Sequence, residues 1–484
     1  MTPASRRTIT IDPLTRIEGH AKISIQLDAR GEVERARLHV AEFRGFERFC
    51  QGRPFTEMVA ITARICGICP VSHQLAAARA GDGLLAVTIP PIAEKLRRLL
   101  NLAQIIQSHA LSFFHLSSPD LLLGWDCPPE QRNLFGVIAR HPDLARGGIH
   151  LRRFGQELIE GLAGRRIHPA WVVPGGVRSP LTKALRDQIL AAVPAHLAIA
   201  QQGLDLFKRL LDQQLQEEEQ VFGCFPSLFL GLVARDCRWE HASDSGCAGL
   251  RAIDSGGAVI IDALAAKDYG SVVAEAVEPW SYLKFPYLRS LGPEAGSYRV
   301  GPLARLNLCD RFGTEQADRE LLELRQRSGR VAIASMLYHL ARLIEIVACL
   351  ERIELLLADP LITAPEVRAR AELNCREAVG MGEAPRGTLL HHYRVDENGL
   401  IEAVNLIIAT GQNNAAMNRT ITQIARHYIS GAALSEALLN RVEAGIRCFD
   451  PCLSCSTHAA GQMPMHVQLL DARGALLQEC RRDP

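Results

Sequence analysis

The chain has 484 residues, 48% of them apolar, and its 54 Lys and Arg residues almost balance its 53 Asp and Glu residues. A chain of this length can bury a large core without a metal or a disulfide to hold it together. The balanced charge offers no basic excess to nucleic acid or anionic lipid, so we expect the protein to bind neither.

The N-terminal residues MTPASRRTITIDPL contain no charged segment followed by an apolar stretch, so no signal peptide is predicted. The most apolar later run, residues 335–357, is interrupted by charged side chains, and no membrane span is predicted either. Fourteen cysteines, most of them isolated in apolar or helical surroundings, fit a reducing compartment. We therefore expect a cytoplasmic protein in which most cysteines are small buried hydrophobes.

The chain begins with a predicted β-hairpin at about residues 8–42. Apolar residues alternate with polar ones over residues 23–27 and again over residues 36–40, and residues 28–31 can form the turn between them.

Later segments have the apolar spacing of helices. They cover residues 92–116, 182–222 with an interruption at Pro194, 317–358 and 435–446. Residues 224–310 are richer in Gly, Pro and short β-like runs. No Pro/Gly/Ser-rich linker, low-complexity tract or repeat divides the chain. The pattern predicts one intertwined α+β body, mainly helical, with a central bundle of long helices and peripheral β-sheets.

Two Cys-x-x-Cys pairs lie near opposite ends of the chain, and each is followed by a histidine. The pairs are formed by Cys66, Cys69, Cys452 and Cys455. Four thiolates suit zinc, an iron–sulfur cluster or another thiophilic transition metal. Structural zinc is the commonest use of such pairs, but those pairs usually lie ~15–20 residues apart in small modules. A metal clamped between distant parts of a large chain favours a buried catalytic centre.

The segments around the pairs, RICGICPVSH (64–73) and DPCLSCSTH (450–458), resemble the two cysteine signatures of the large subunit of nickel–iron hydrogenases. The resemblance covers essentially the whole chain, which looks most like the large subunit of the soluble bidirectional, NAD-linked type. Further segments that carry it are IDPLTRIEGHAKI (11–23), EFRGFERFCQGRPF (42–55), QSHALSFFHLSSPDLLLG (107–124), EAVEPWSYLKFPY (275–287), EAPRGTLLHHYRVDENGL (383–400) and NLIIATGQNN (405–414). The nickel–iron hydrogenase large-subunit fold is therefore expected over residues 1–458.

The resemblance implies a nickel ion bound by Cys66, Cys69, Cys452 and Cys455. Cys69 and Cys455 would also bridge to an iron ion that carries carbon monoxide and cyanide ligands. The implied activity is the reversible heterolytic cleavage of H2 into protons and electrons. Such cleavage requires a polarising metal, a nearby proton acceptor and a dry pocket.

Several catalytic roles also follow from the resemblance. Cys452 would take up a proton, and Glu18 in the segment RIEGH would receive it next. Arg386 would place its guanidinium over the open face of the metal pair, where a permanent cation can orient cyanide and polarise H2. Asp450 and Asp120 would hold Arg386 by carboxylate pairing. Without the resemblance, Glu18 and Arg386 would be interpreted as solvated loop charges.

A magnesium or similar ion is expected below this centre, again by resemblance. Glu47 and His458 would bind it with water and a main-chain carbonyl near Val404, a ligand set that suits a hard octahedral cation moderately well. His73 and His115 are candidate hydrogen-bond donors to the cyanides or sulfurs. A satisfied core histidine is an equal alternative for each.

Electrons need a route beyond this chain. The glycine pairs at 175–176 and 256–257 lack the strand, GxGxxG and helix context of a nucleotide site, so we predict no flavin or NAD site here. The remaining cysteines lack the spacing of an iron–sulfur cluster. The resemblance therefore implies an iron–sulfur small subunit and, beyond it, a diaphorase with flavin and NAD.

Alternatives remain open at this stage. A soluble hydrogenase coupled to a heterodisulfide reductase or to artificial acceptors would share the same signatures. A structural zinc protein would bind one zinc ion and no nickel. A quinone-linked respiratory subunit would share the fold but normally lacks these four cysteines.

The last segment, residues 459–484, has a strand-like pattern at 465–470 and a turn at 471–474. The resemblance implies that it is a propeptide. A maturation endopeptidase would cut between His458 and Ala459 after nickel-insertion proteins have acted. A tethered tail could hold Cys452 and Cys455 away from the core until the metal is in place.

Overall fold

The computed structural model describes residues 7–242, 248–429, 434–458, 465–470 and 475–482. Long helices form its centre, and small β-sheets lie around them, as the sequence predicts. The helices are α1 (Phe46–Phe49), α2 (Met58–Thr62), α3 (Pro70–Leu85), α4 (Pro91–Leu111), α5 (Ser118–Leu123), α6 (Leu134–Arg140), α7 (Pro142–Ala163), α8 (Lys183–Gln213), α9 (Gln216–Val221), α10 (Tyr269–Val272), α11 (Gly292–Ala295), α12 (Pro302–Leu308), α13 (Glu315–Ser328), α14 (Leu337–Ala358), α15 (Ala409–Gln412), α16 (Asn414–Tyr428), α17 (Glu436–Arg447) and α18 (Leu453–Ser456).

The strands form separate antiparallel sheets and one mixed sheet. They are β1 (Arg7–Ile11), β2 (Lys22–Leu27), β3 (Val33–His39), β4 (Val172–Val173), β5 (Gly176–Val177), β6 (Leu228–Ala234), β7 (Ala248–Ile253), β8 (Val259–Leu264), β9 (Val273–Glu278), β10 (Ser281–Leu288), β11 (Tyr298–Arg299), β12 (Glu377–Ala384), β13 (Gly387–Val395), β14 (Ile401–Ile407), β15 (Met465–Leu470) and β16 (Leu476–Arg482). The mixed sheet has the order β11-β6-β7-β8, with β11 parallel to β6.

The centre of the helical bundle is buried on all sides. α4 packs against α7 and α14, and α14 packs in turn against α8. α14 is buried continuously from Leu337 to Glu351 because neighbours surround it, which fits a helix that is apolar most of the way round. α3 packs on the sheet β12-β13-β14. Cys66 and Cys69 lie just before α3, and the turn between β12 and β13 carries Arg386. The packing of α3 on this sheet therefore brings these two segments together.

The N-terminal sheet contains the pair of strands expected from the alternating pattern. β2 and β3 pair antiparallel with Lys22 opposite His39, and β1 adds a third strand on the other side of β2. The free edge of β3 is covered by α16. Asn418 accepts a hydrogen bond from the Leu38 amide at 2.9 Å, and Thr422 accepts one from the Ala36 amide at 3.0 Å. These bonds satisfy an edge that would otherwise be open to further strands.

The predicted interruption at Pro194 is wrong, because α8 continues through it. Proline removes one backbone donor, and packing of α8 against α7 and α14 holds the helix on both sides of it. The helix ends instead at Gln213. The single helix predicted over residues 317–358 is two helices, because Gly329 after α13 adopts a left-handed φ of 78° and α14 begins only at Leu337.

Among the described residues, α8 is the one helix whose length and composition would allow it to cross a membrane, with a mean hydropathy of 1.2 in its most apolar window. α14, which contains most of the apolar run at 335–357, does not meet the same criterion. One such helix is weak evidence, because core helices of soluble proteins pass the same test.

At the end of the chain, β15 and β16 pair antiparallel. The turn expected at 471–474, the residue Ala459 at the expected cleavage point and the GQMP segment at 461–464 lie outside the described residues.

Candidate metal centre

Four cysteine thiols meet where distant parts of the chain come together. Cys66 and Cys69 lie just before α3, and Cys452 and Cys455 lie at and inside α18. The Sγ–Sγ distances are 3.3 Å for Cys66–Cys452, 3.4 Å for Cys69–Cys455 and 2.9 Å for Cys452–Cys455. All four sulfurs lie within 4.8 Å of one another, and all four residues are buried.

Burial and crowding act differently on these thiols. Burial raises the pKa of Cys452 and of Cys455, whereas hydrogen bonds from Cys452, Cys455 and Cys66 lower the pKa of Cys69. Among these three thiols, the protein itself therefore favours the thiolate form only at Cys69. Four thiolates in contact need a cation to balance their charge, and a soft transition metal suits that donor set.

A small cavity adjoins three of the thiols and has mostly apolar walls. Besides Cys69, Cys452 and Cys455 it is lined by Ser72, His73, Ala384, Pro385, Arg386, Leu389, Ile408, Ala409 and Thr410. The Cys452 amide donates to Thr410 Oγ1 at 3.0 Å. Ser72 and Thr410 were not predicted, and their position inside the hydrogenase-like segments was the only signal for them.

Arg386 lies in the two-residue turn between β12 and β13, in the wall of this cavity, and is 3% exposed. Its Nη2 donates to Asp450 Oδ1 at 3.1 Å, its Nε donates to the Asp450 main-chain oxygen, and its Nη1 donates to Ser108 Oγ at 3.3 Å. Burial lowers the pKa of Arg386, but Asp450 and the nearby thiols outweigh burial and raise it overall. The guanidinium is a fixed and permanent cation beside the thiols.

Asp450 has a backbone that is adapted to this pairing. Its φ of 51° is uncommon for a residue other than glycine. In this conformation both its carbonyl and its carboxylate bind Arg386. Burial raises the pKa of Asp450, and Arg386 and Arg342 partly offset this rise.

The predicted pairing of Asp120 with Arg386 is wrong. Asp120 accepts hydrogen bonds from Arg447 Nη1 at 2.8 Å, from Asn440 Nδ2 at 2.9 Å and from Arg16 Nη2. Burial raises the pKa of Asp120, but Arg447 and Arg16 outweigh burial and lower it overall. These nearer cations occupy both carboxylate oxygens, so Asp120 ties the N-terminal segment to α17 instead.

Glu18 lies directly beside the second cysteine pair. Its main chain forms a bridge with Cys452, and its carbonyl accepts from the Leu453 amide at 3.1 Å. Its carboxylate accepts from the Ser454 amide at 3.0 Å and from the Ser454 hydroxyl. The following Gly19 has a φ of 88°, and a Cβ there would lie 2.7 Å from Leu453 Cβ, so this close approach requires glycine.

Glu47 and His458 form a second polar group next to Cys455. Glu47 Oε1 and His458 Nε2 are 3.7 Å apart, and His458 Nδ1 lies 3.0 Å from the Cys455 carbonyl oxygen. His458 Nε2 is buried with no hydrogen-bond partner among the described residues. Burial lowers the pKa of His458 to about 3, so its imidazole is neutral. The Leu406 amide donates to Glu47 Oε1 at 2.9 Å. A main-chain carbonyl ligand near Val404 stays a prediction.

Lys284 and Glu275 belong to the same group and were not predicted. Lys284 Nζ lies 3.0 Å from Glu275 Oε2 and 3.5 Å from Glu47 Oε1. Burial lowers the pKa of Lys284, but the two carboxylates outweigh burial and raise it overall. Burial also raises the pKa of Glu47. A divalent cation at Glu47 would therefore share that carboxylate with an ammonium group.

The two candidate histidines differ in their surroundings. His73 lines the cavity, its Nδ1 lies 3.1 Å from His391 Nε2, and His391 Nδ1 lies 2.6 Å from the Tyr393 hydroxyl. His115 lies in the π-helical segment Ser112–Ser117, outside the cavity lining, with its Nδ1 3.4 Å from the carbonyl oxygen at position 110. His73 therefore fits a role beside the metal centre, whereas His115 fits a satisfied structural histidine.

A buried ion network behind Arg386 was also not predicted. Arg305 donates to the two main-chain carbonyls that precede Arg386, at 2.9 and 3.2 Å. Glu345 binds Arg305 through both carboxylate oxygens at 2.6 Å, and Glu383 adds a 2.8 Å contact. The side chains of Arg305, Glu345 and Glu383 have no exposed surface. The network holds the turn that carries Arg386.

Known proteins match this arrangement over most of the chain. The family model described as nickel-dependent hydrogenase matches residues 44–123 and 266–458, and a model described as HoxL-like matches residues 8–43. The beta subunit of the NAD-reducing hydrogenase HoxS from Cupriavidus necator is 42% identical, covering 98% of this chain and 100% of the relative. A subunit of the F420-non-reducing hydrogenase from Methanothermobacter thermautotrophicus is 39% identical over 97% of this chain and 99% of the relative.

Solved structures agree with these matches. The crystal structure of an NAD⁺-reducing [NiFe]-hydrogenase in the H2-reduced state superposes with a TM-score of 0.90 and 47% identity, covering 93% of this chain and 99% of the other. The reduced Ni-Fe-Se hydrogenase from D. vulgaris Hildenborough gives a TM-score of 0.75 at 25% identity, covering 94% of this chain and 100% of the other. The expected fold is therefore confirmed, and the chain belongs to the nickel-dependent hydrogenases as a large, catalytic subunit.

Proposed function

We propose that this chain is the catalytic subunit of a nickel–iron hydrogenase that cleaves H2 reversibly and passes electrons through partner subunits to NAD. The observation that carries the proposal is the buried cluster of four thiols beside the fixed guanidinium of Arg386. Family membership in the nickel-dependent hydrogenases favours this function over a structural zinc site.

The four thiols form the proposed binding site for the metal pair. Nickel would be held by Cys66, Cys69, Cys452 and Cys455, and iron by Cys69 and Cys455 together with carbon monoxide and cyanide ligands. The donor set fits, because the sulfurs are mutually close, buried and in need of a cation. When bound, this metal pair polarises H2 for heterolytic cleavage. The apolar side chains of Leu389, Ile408 and Ala409 line the adjoining cavity, and apolar walls disfavour water at the site.

Protons would leave by way of Cys452 and Glu18. Cys452 Sγ would accept the first proton, and the Glu18 carboxylate would take it next. The main-chain bridge between the two residues and the hydrogen bonds from Ser454 support this order, because they fix the Glu18 carboxylate on the residue that lies between Cys452 and Cys455 in α18. Fixed geometry matters because proton transfer requires donor and acceptor to be within hydrogen-bonding reach.

Arg386 would act as the permanent cation over the open side of the site, with Asp450 as its anchor. Its three hydrogen bonds, and the support of its turn by Arg305, support a positioning role for Asp450 and an electrostatic one for Arg386. Asp120 is left with a structural role only.

A magnesium ion at Glu47 and His458 remains a proposal. The neutral imidazole and the unpaired buried Nε2 of His458 support it, because they leave a lone pair facing Glu47. Lys284 competes for the same carboxylate. Metal analysis of the purified protein before and after chelation decides between an ion and the Lys284 ammonium alone.

The proposed partners are an iron–sulfur small subunit and a diaphorase with flavin and NAD, in the cytoplasm. Support comes from the two relatives that are NAD-reducing hydrogenases. A second candidate is the same catalytic subunit with another electron acceptor, such as a heterodisulfide reductase. Its support is a relative of only slightly lower identity that is described as an F420-non-reducing hydrogenase and not as an NAD-reducing one.

We also propose that residues 1–458 form one body and that residues 459–484 are removed by an endopeptidase once nickel-insertion proteins have loaded the site. Cys452 and Cys455 lie close before the proposed cut, so metal binding at these thiols can be coupled to removal of the tail. The intact mass of active, nickel-loaded protein measures this directly: a chain ending at His458 supports removal, and a full-length chain contradicts it.

The acceptor is tested with the assembly purified anaerobically with its own partner subunits. We expect H2-dependent reduction of NAD⁺ and co-purification of flavin-containing subunits. Reduction of an artificial dye without reduction of NAD⁺, in an assembly that contains a heterodisulfide reductase, would support the second candidate instead. An assembly that takes up no H2 with any acceptor would contradict both.

A further inference from the structure

A surface cleft of about 460 Å³ lies between β3 and α16 and shares no residue with the metal centre. Four arginines line it, together with two aromatic side chains, and its lining contains no carboxylate. The arginines are Arg35, Arg37, Arg419 and Arg426, and the aromatic residues are Phe225 and Trp280. This local excess of positive charge contrasts with the balanced charge of the whole chain.

The arginines are held in place by the protein. The Arg37 guanidinium lies 5.0 Å from the centre of the Trp280 ring, and the Arg419 guanidinium lies 4.0 Å from that of Phe225. Such cation–π contacts orient a guanidinium without neutralising its charge. Arg35 Nε donates to Gln26 Oε1 at 2.6 Å. A site whose donors are already ordered loses less entropy when a ligand binds.

The guanidinium groups of two of these arginines form no ion pair within the described part of the chain. Among the described residues, the Arg37 and Arg419 guanidinium groups form no ion pair and donate no hydrogen bond, and their recorded contacts are with aromatic rings. Glu34 and Glu278 act on Arg37 electrostatically, but Glu278 accepts a hydrogen bond from the Trp280 indole at 3.0 Å. Burial, and then Arg35, lower the pKa of Arg37. An anion in the cleft would relieve this repulsion.

The spacing of the arginines indicates the shape of the anion. Arg35 and Arg37 lie on the same face of β3, roughly 7 Å apart along the strand. Arg419 and Arg426 lie two turns apart on α16, roughly 10 Å along the helix. Both spacings exceed the size of one phosphate group, so a linear polyphosphate matches them better than a single phosphate. Arginine forks also match phosphate oxygens bidentately.

We propose that this cleft binds the polyphosphate group of a small ligand of the nucleoside di- or triphosphate class. The site is separate from hydrogen cleavage, and it does not depend on the proposed electron acceptor. The cleft volume lies within the range of ligand pockets, ~300–1,000 Å³, which favours a small ligand over an acidic segment of a partner protein.

A second basic cleft supplies a matched control. It is lined by Arg178, Arg368 and Arg370, has a volume of about 570 Å³, contains Glu366 and has no aromatic residue in its lining. These three arginines are exposed to solvent, so any general attraction of anions to surface arginines would involve this cleft as well.

The test is calorimetric titration of the whole purified protein with inorganic tripolyphosphate, with ATP and with a hexaglutamate peptide. We expect tripolyphosphate and ATP to bind, and we expect the double variant Arg37→Ala/Arg419→Ala to weaken both at least ~10-fold, because it removes two charged hydrogen-bond donors from the cleft. The control variant Arg178→Ala/Arg368→Ala should stay within ~2-fold.

Three results would overturn the proposal. One is the absence of binding by both phosphate ligands, and another is an equal loss in both double variants. The third is hexaglutamate binding as tightly as tripolyphosphate, which would assign the cleft to an acidic protein partner. Unchanged H2-dependent dye reduction in both double variants shows that the variants are folded, since none of these arginines belongs to the metal centre.

Discussion

Replacing Arg386 with lysine keeps the charge beside the thiols but removes the planar fork that holds it. Arg386 uses three different nitrogens to bind the Asp450 carboxylate, the Asp450 carbonyl and the Ser108 hydroxyl. A lysine ammonium on a single nitrogen cannot reproduce that geometry. At least two buried polar atoms should therefore lose their partner.

The expected effect follows from those lost bonds. Leaving a buried polar atom without its hydrogen bond costs ~1–3 kcal/mol. The smaller total for two atoms is ~2 kcal/mol, and most of it should be felt in the transition state, where the charge beside the thiols acts. Turnover should therefore fall at least ~10-fold, which corresponds to ~1.4 kcal/mol. The loss should fall on turnover per nickel ion, because the thiols themselves are unchanged.

The assay is H2-dependent reduction of an artificial dye, normalised to the nickel content of each sample. Arg178→Lys, at an exposed position, is the matched control and should behave like the wild type. Arg386→Lys with full nickel content and unchanged kinetics would refute the reasoning, since the fork of Arg386 would then have no role in the reaction.

Three further predictions concern protons, stability and pH. Glu18→Gln should keep its nickel but strongly reduce turnover and hydrogen–deuterium exchange, whereas normal exchange would mean that protons leave by another route. Asp120→Asn should lower the thermal unfolding temperature, because breaking its buried ion pair with Arg447 costs ~3–5 kcal/mol. Turnover per nickel ion should stay within ~2-fold of the wild type. A selective loss of turnover would restore a catalytic role for Asp120. Burial lowers the pKa of His109 to about 4 and of His241 to about 3, below the ~6.5 of an exposed histidine, so the unfolded chain binds more protons below that pH. The metal-free protein should therefore lose stability as the pH falls from ~6.5 towards 4. Thermal melts of His109→Gln should show a smaller loss of stability over this range than those of the wild type. An identical loss would show that protonation of His109 is not its cause.

The sequence predicted those parts of the site that are carried by short, chemically distinctive segments. Each cysteine pair lies within one short motif, so its chemistry is visible locally, and Glu18, Arg386 and Glu47 lie in hydrogenase-like segments. The hairpin and the long helices were visible for a similar reason, because alternation and helical spacing are local patterns.

What the sequence did not predict depends on contacts between distant segments. Asp120 was assigned to the wrong arginine, because Arg16 and Arg447 approach it only after folding. Arg305 and Lys284 carry ordinary charges in sequence and become functional candidates only through buried partners. The break after α13 depends on the backbone conformation of Gly329. The spacing of apolar residues alone predicted a helix that continues through this position.

The measurement that tests the central claim most directly is the nickel and iron content of the purified protein, compared between the wild type and Cys455→Ala. The wild type should contain both metals and cleave H2, and Cys455→Ala should lose nickel and all H2-dependent activity while remaining soluble. Cys349→Ala, which removes an equally buried thiol on α14, should keep both metals and near wild-type activity. Near wild-type nickel content and H2 uptake in Cys455→Ala would contradict the proposed metal centre.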